Sequence, residues 1–171
     1  MYARLRPYHL IGAIGGFLTA LTAIISLAVS TSYYISAEWV IIVNMLLIGS
    51  NGLIATYFFG AFSATRDSLI KVGSLIAGIG LGFNILISIL QMAGVYVFVL
   101  ALLGALVMMA GVVIACIKFI MLFQRDAFVV VFCVFIFLGL LLSLFWTWAS
   151  LISGAGLGGL LIYFYVHNIT Y

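Results

Sequence analysis

The chain has 171 residues, of which 68% are hydrophobic and 5% charged, with six basic residues, three acidic ones and a formal net charge of +3. At a mean hydropathy of +1.47, a water-soluble globule would leave most apolar side chains uncovered, so lipid is the solvent implied. The basic residues make no stripe that could track a phosphate backbone, which argues against nucleic acid as a partner and for membrane lipids.

In chain order, the first apolar run covers 9–30, behind Arg4 and Arg6. Its basic start and Ala28-Val29-Ser30 triplet resemble a cleavable signal peptide, but the run is longer than a signal's apolar region, and we read it as a retained helix. Gly12, Gly15, Thr19, Thr22 and Ser26 recur along it at three- and four-residue steps. That spacing makes one seam of small side chains where a second helix can come close. The second span, 40–62, carries Asn44 and Asn51 and a diagonal of Gly49, Gly52, Thr56 and Gly60. The third, 69–91, repeats the seam through Gly73, Ala77, Gly80, Asn84, Ser88 and Gln91. The fourth, 95–117, does so through Ala101, Gly104, Met108, Gly111 and Ala115. Spans over 127–148 and 151–167 complete six, each near the roughly 20 residues that a bilayer core requires. The glycine-rich 150–159 leaves an alternative of five full spans with a re-entrant last segment.

Charge and aromatics orient these spans independently. The basic residues fall in three places, Arg4 with Arg6, Arg66 with Lys71, and Lys118 with Arg125, while the other connections carry only Glu38. Basic connections stay cytoplasmic, so both termini are expected there, in a cell-membrane protein. Trp39, Trp146 and Trp148 fall at the expected outer interface with Tyr33, Tyr34 and Tyr96, and Tyr2, Tyr8, Tyr163 and Tyr165 at the inner one. Such belts anchor helices at headgroup level.

Arg6-Pro7, Arg66-Asp67 and Arg125-Asp126 each open a unit of span, outer turn and span. The fold expected is therefore an all-α transmembrane bundle, one domain of three helical hairpins over about 6–65, 66–124 and 125–171. Three glycine-spaced hairpins, with Leu46-Leu47-Ile48-Gly49-Ser50-Asn51-Gly52-Leu53-Ile54 in the first, resemble the small six-span membrane proteins related to the HdeD acid-resistance protein. That family usually has a proline after the first helix of a hairpin, whereas the only proline here is Pro7. The resemblance implies a stress-related membrane role and assigns no residue a function.

Candidate sites follow from where polar groups fall in apolar spans. Asn44, Asn84, Ser88, Gln91, Ser26, Ser143 and Trp146 lie in the outer halves, and an amide facing hydrocarbon is costly. Asn44, Asn51, Asn84, Ser88, Gln91 and Trp146 are thus candidates for an outward-facing polar cleft, with interhelical hydrogen bonding as the plainer explanation. The two histidines, His9 and His167, lie at the inner edge. They would approach each other if the first and last helices were neighbours, as candidates for haem or metal ligation against simple headgroup contact. Cys116 and Cys133 sit at similar depth and read as buried free thiols. No cofactor is expected.

No acidic or basic residue is placed in the interior of a span, since Lys71 and Lys118 sit at cytoplasmic ends, which argues against proton- or sodium-coupled transport. Neither a hydrolytic triad nor paired intramembrane carboxylates can be assembled, and the glycine clusters lack the Lys-Ser or Lys-Thr of a phosphate loop. Asn168-Ile169-Thr170 matches a glycosylation pattern but falls on the expected cytoplasmic side. Two non-catalytic classes remain. The first is an accessory subunit of a larger membrane complex, respiratory or otherwise energy-converting, with other membrane subunits as partners. The second is a protein that binds or moves a small neutral solute, lipid or quinone through the polar cleft.

Overall fold

The computed structural model describes residues 5–31, 36–95, 97–143, 145–146, 149–169 and 171. Among them every element is a helix: α1 Arg6–Ser30, α2 Ala37–Ala64, α3 Ser68–Met92, α4 Phe98–Leu122, α5 Ala127–Ser143 and α6 Ser150–Val166. The first four are long and apolar enough to cross a membrane. At the α-helical rise they extend ~37–42 Å, against a hydrocarbon core of about 30 Å. α5 and α6 have 17 residues each and extend only ~26 Å. The fifth helix stops short of the expected 148, and past its end the Leu142 carbonyl accepts from both the Phe145 and Trp146 N–H groups. Tyr2, Arg4, Tyr33, Tyr34, Tyr96, Trp148 and Thr170 lie outside the described residues.

The recurring Arg-Asp pairs mark where helices begin. Asp67 Oδ1 accepts from the N–H groups of Leu69 (3.0 Å) and Ile70 (3.2 Å), and Asp126 Oδ1 accepts from Phe128 (3.1 Å) and Val129 (3.4 Å). Each aspartate therefore caps the helix it precedes. Pro7 sits in the first turn of α1, where a missing N–H costs nothing. Two helices end alike. Gly94 (φ 78°) after α3 and Asn168 (φ 52°) after α6 adopt left-handed conformations. The Val95 and Ile169 N–H groups reach back to the Leu90 and Phe164 carbonyls, the Schellman geometry that reverses a chain at a helix end.

Each helix packs against its sequence neighbours and α6 packs against α1, so the helices close into a ring, with its sparsest seam between α4 and α5. Alternating directions place Arg6, Arg66, Lys71, Lys118, Arg125, Asp67 and Asp126 at one end, the basic end, and Glu38 at the other. Contacts there tie the ends together. Lys118 Nζ pairs with Asp67 Oδ2 at 2.9 Å, the Tyr163 hydroxyl donates to Asp126 Oδ2, and the Arg6 guanidinium lies 4.8 Å from the Tyr165 ring centroid. Trp39 and Trp146 are both exposed, near the Glu38 end.

Small residues let the backbones meet, because helices in lipid gain little from apolar burial alone. A Cβ on Gly73 would lie 2.9 Å from the Gly111 carbonyl, and one on Gly111 would strike the Ala77 backbone. Gly80 meets the Met108 backbone in the same way, and Gly104 meets Phe83 and Asn84. The expected stripes of α3 and α4 are thus the two halves of one seam. Gly12 packs between Tyr57 of α2 and Leu161 of α6, and Gly15 against Leu53 and Ile54 of α2. The ring itself is closed by Gly16, which meets Gly154 and Gly158 of α6. The glycine diagonal expected on α2 behaves differently. Gly52 has open space around it, Gly49 has only Leu18 nearby, and Thr56 is exposed; of that set only Gly60 is packed, under Tyr8. α2 packs instead through Ser50, Ile54, Tyr57 and Ala61.

The ring is filled unevenly. Towards the basic end Tyr57, Phe119, Cys116, Cys133, Leu161 and Phe164 are buried in one cluster. Towards the Glu38 end the axis is hollow.

Candidate functional site

The hollow is a cavity of about 270 Å³ to which all six helices contribute, among them Thr19, Asn51, Asn84, Met108, Leu140 and Leu157. Its walls are chiefly aliphatic, and none of its lining residues is charged. Ser143 and Ser150, at the α5–α6 turn, line it on the Glu38 side.

The polar groups on this wall divide into two kinds. Thr19 Oγ1 donates to the Gly15 carbonyl (3.0 Å), Ser143 Oγ to Leu140 (2.7 Å) and Ser153 Oγ to Ser150 (3.1 Å), each within its own helix. A hydroxyl can satisfy itself on the preceding turn in this way. Asn84, Ser88 and Asn51 do not. Asn84 Nδ2 donates only to the Met108 thioether, at 3.5 Å, and sulfur is a weak acceptor. The hydroxyl of buried Ser88, one turn further along the same face of α3, and the Asn51 amide have no hydrogen-bond partner among the described residues. Three polar side chains therefore face an apolar cavity with their bonding capacity largely unused.

The remaining expected cleft residues lie elsewhere. Asn44 Nδ2 donates to the Val40 carbonyl at 2.9 Å, and its buried Oδ1 is unpaired beside a smaller hollow of about 190 Å³ that also touches Ser26 and Trp39. Gln91 is in the last turn of α3, beyond the cavity, and Trp146 faces outward. Of the expected packing set, Thr22 is buried against its own Leu18 carbonyl (2.7 Å), and Ser26 borders the smaller hollow.

The basic end of the axis is closed by a feature the sequence does not advertise. The reversal at Asn168 returns Tyr171 into the ring, where its hydroxyl bonds the Tyr57 hydroxyl and lies 3.3 Å from His9 Nε2. The Tyr171 ring packs 4.8 Å from Phe119 and 5.7 Å from both His9 and Phe164, centroid to centroid. His9 is wholly buried, with Nδ1 unpartnered, so it is an interior residue and not the headgroup-facing edge residue expected. His167 is exposed, packs its ring at a tilt against Tyr163 and bonds the Tyr163 carbonyl, so the neighbouring helices α1 and α6 give the two histidines separate surroundings. Cys116 and Cys133 are free, buried and adjacent across the α4–α5 seam. Among the described residues no three His, Cys, Asp or Glu side chains gather as metal ligands.

The arrangement is a ring of apolar helices around an uncharged cavity, with aromatic side chains packed at one end. Burying a charge there without a counter-ion would carry a large desolvation cost. No protein-family model matches the chain, and no curated protein or solved structure is found similar to it.

Proposed function

We propose that the chain is a multi-pass membrane protein whose six helices all cross the bilayer, with the basic end cytoplasmic, and that it binds a small neutral, mostly apolar molecule in its central cavity without chemically altering it. The orientation is supported by the gathering of basic groups at one end and of Trp39 and Trp146 near the other. The two short helices sit near the lower limit of about 17 residues for a span, and local thinning of the bilayer accommodates such a mismatch.

The observation that carries the binding reading is the set of Asn51, Asn84 and Ser88 on the wall of an apolar cavity, with a thioether as the one side-chain partner among them. A purely structural accessory subunit, the reading that charge-poor spans favour on their own, has no use for such groups. The test is a tryptophan introduced at Ile136, on the cavity wall. In lipid nanodiscs, Ile136→Trp should abolish saturable binding of uncharged hydrophobic probes. Saturable binding unaffected by a filled cavity would count against the reading. Purification in mild detergent with fixed partner subunits, and no probe binding, would favour the accessory-subunit role instead.

A further inference from the structure

We infer that the cavity selects a neutral apolar molecule bearing a carbonyl oxygen, such as a ketone, a quinone or an ester, and that Asn84 is the residue that reads it. The inference rests on the cavity-binding reading above and adds the ligand's chemistry. Asn84 points its amide donor at Met108 Sδ, 3.5 Å away. A thioether is a poor acceptor for a strong amide donor, so the contact is one that a better acceptor displaces.

Met108 is also easily displaced. Its side chain has three rotatable bonds and repacks at little cost, unlike a branched residue. Behind Asn84 the position is fixed, because Gly104 lets α4 approach so closely that a Cβ there would lie 3.1 Å from Asn84 Oδ1. The amide is thus held on a rigid seam with its donor aimed inward, and the group covering that donor is the mobile one. Ser88, a turn away, supplies a second donor to the same carbonyl or to an adjacent oxygen. Leu81, Val112, Ile136 and Leu157 surround these groups with hydrocarbon suited to a chain or ring. Carboxylates and amines are disfavoured by the same walls, which offer no counter-charge.

The experiment compares a medium-chain methyl ketone, labelled with ¹³C at its carbonyl, with the alkane of equal length. Both are titrated into the full chain in phosphatidylcholine nanodiscs and referred to their concentrations in the bilayer. The ketone should bind about fivefold or more tightly than the alkane, the worth of one net hydrogen bond. Its bound C=O infrared stretch should shift to lower frequency. Asn84→Leu should erase both the preference and the shift. Met108→Leu, which removes the competing sulfur and keeps the amide, should strengthen ketone binding.

Equal affinities in the wild-type protein, or a preference that survives Asn84→Leu, overturns the inference. The Ile136→Trp variant separates that failure from failure of the cavity reading. If Ile136→Trp blocks both probes while Asn84→Leu leaves the ketone preference intact, the cavity is the site and the carbonyl assignment is wrong. If Ile136→Trp blocks neither, both fall together.

Discussion

Replacing Tyr171 should open the basic end of the ring, and the size of the effect can be worked from its contacts. Its hydroxyl serves the hydroxyl of Tyr57 and Nε2 of His9 at once. Since His9 Nδ1 is already unpaired, Tyr171→Phe would leave a fully buried imidazole with neither nitrogen bonded. An orphaned buried polar group costs about 1–3 kcal/mol. Were that cost met by detaching the 167–171 segment, the open fraction would rise by a factor of about 5–150. Tyr171→Ala also removes the ring against Phe119, His9 and Phe164, a change worth up to about 3–5 kcal/mol in a core. Cys116 and Cys133 are built-in reporters, since both are buried and lie near Tyr57. Their labelling by a water-soluble maleimide in nanodiscs should accelerate in the order wild type, Tyr171→Phe, Tyr171→Ala, with thermal unfolding still cooperative. Labelling of Tyr171→Ala at the wild-type rate would refute the idea that this side chain seals the axis.

Gly111→Val should disrupt the α3–α4 pair, because the new side chain meets backbone at Ala77 and Gly73 and nothing flexible can yield; overpacking of this kind costs about 1–3 kcal/mol or more, read as a lowered melting temperature. Gly52→Ala, by contrast, enters open space in mid-helix and should raise stability by up to about 1 kcal/mol in the same assay. Asp67 is lightly desolvated, which would raise its pKa, but the Lys118 ammonium and the Ile70 and Leu69 N–H groups outweigh this and hold the carboxyl below its ordinary value of 3.8. Its stabilising contribution is therefore fully present above that value and lost as pH falls through the depressed one. Thermal melts of the wild type should lose stability over that acidic window, those of Asp67→Asn should lose less, and Asp67→Ala should be weaker than wild type above that window by the roughly 1 kcal/mol of a missing cap. Asn168→Gly should preserve the turn after α6, whereas Asn168→Val, strained at φ 52°, should release the same segment as Tyr171→Ala and speed cysteine labelling.

The helices themselves were legible as long apolar runs, and α1, α3 and α5 carry a chemical signal at their starts as well: Pro7 in a first turn, and Asp67 and Asp126 as caps. The α3–α4 seam was legible for a different reason. In spans that are apolar on every face, hydrophobic periodicity says nothing about direction, and small residues are the remaining marker of a contact. The same rule misdirects on α2, where Gly49 and Gly52 make no close helix contact while Ser50 and Tyr57 are buried. It was also incomplete on α6, whose Gly154 and Gly158, four residues apart, carry the spacing of a close helix pair but sit in a stretch equally readable as re-entrant. Ring closure between α1 and α6, and the insertion of Tyr171 beside His9, join residues from opposite ends of the sequence. No local pattern encodes such contacts.

What separates a packed bundle from a binding protein is how each buried polar group is used. If the polar residues existed only to hold helices together, they would be bonded within or between helices, since an unmet amide in lipid is expensive. Thr19, Thr22, Ser50, Ser143 and Ser153 obey that rule through the carbonyl three or four residues back. Asn44 follows it in part. Asn51 and Ser88 stand apart on the cavity wall, and Asn84 joins them with only a thioether for company. Ser88, like the buried Ser74 on the same helix, does not bond the carbonyl behind it; what sets Ser88 apart is its place on the cavity wall. Packing thus accounts for the seams and for the self-bonded hydroxyls, and Asn51, Asn84 and Ser88 are the side chains to which the proposed ligand, with a polar oxygen and a hydrocarbon body, would supply a partner.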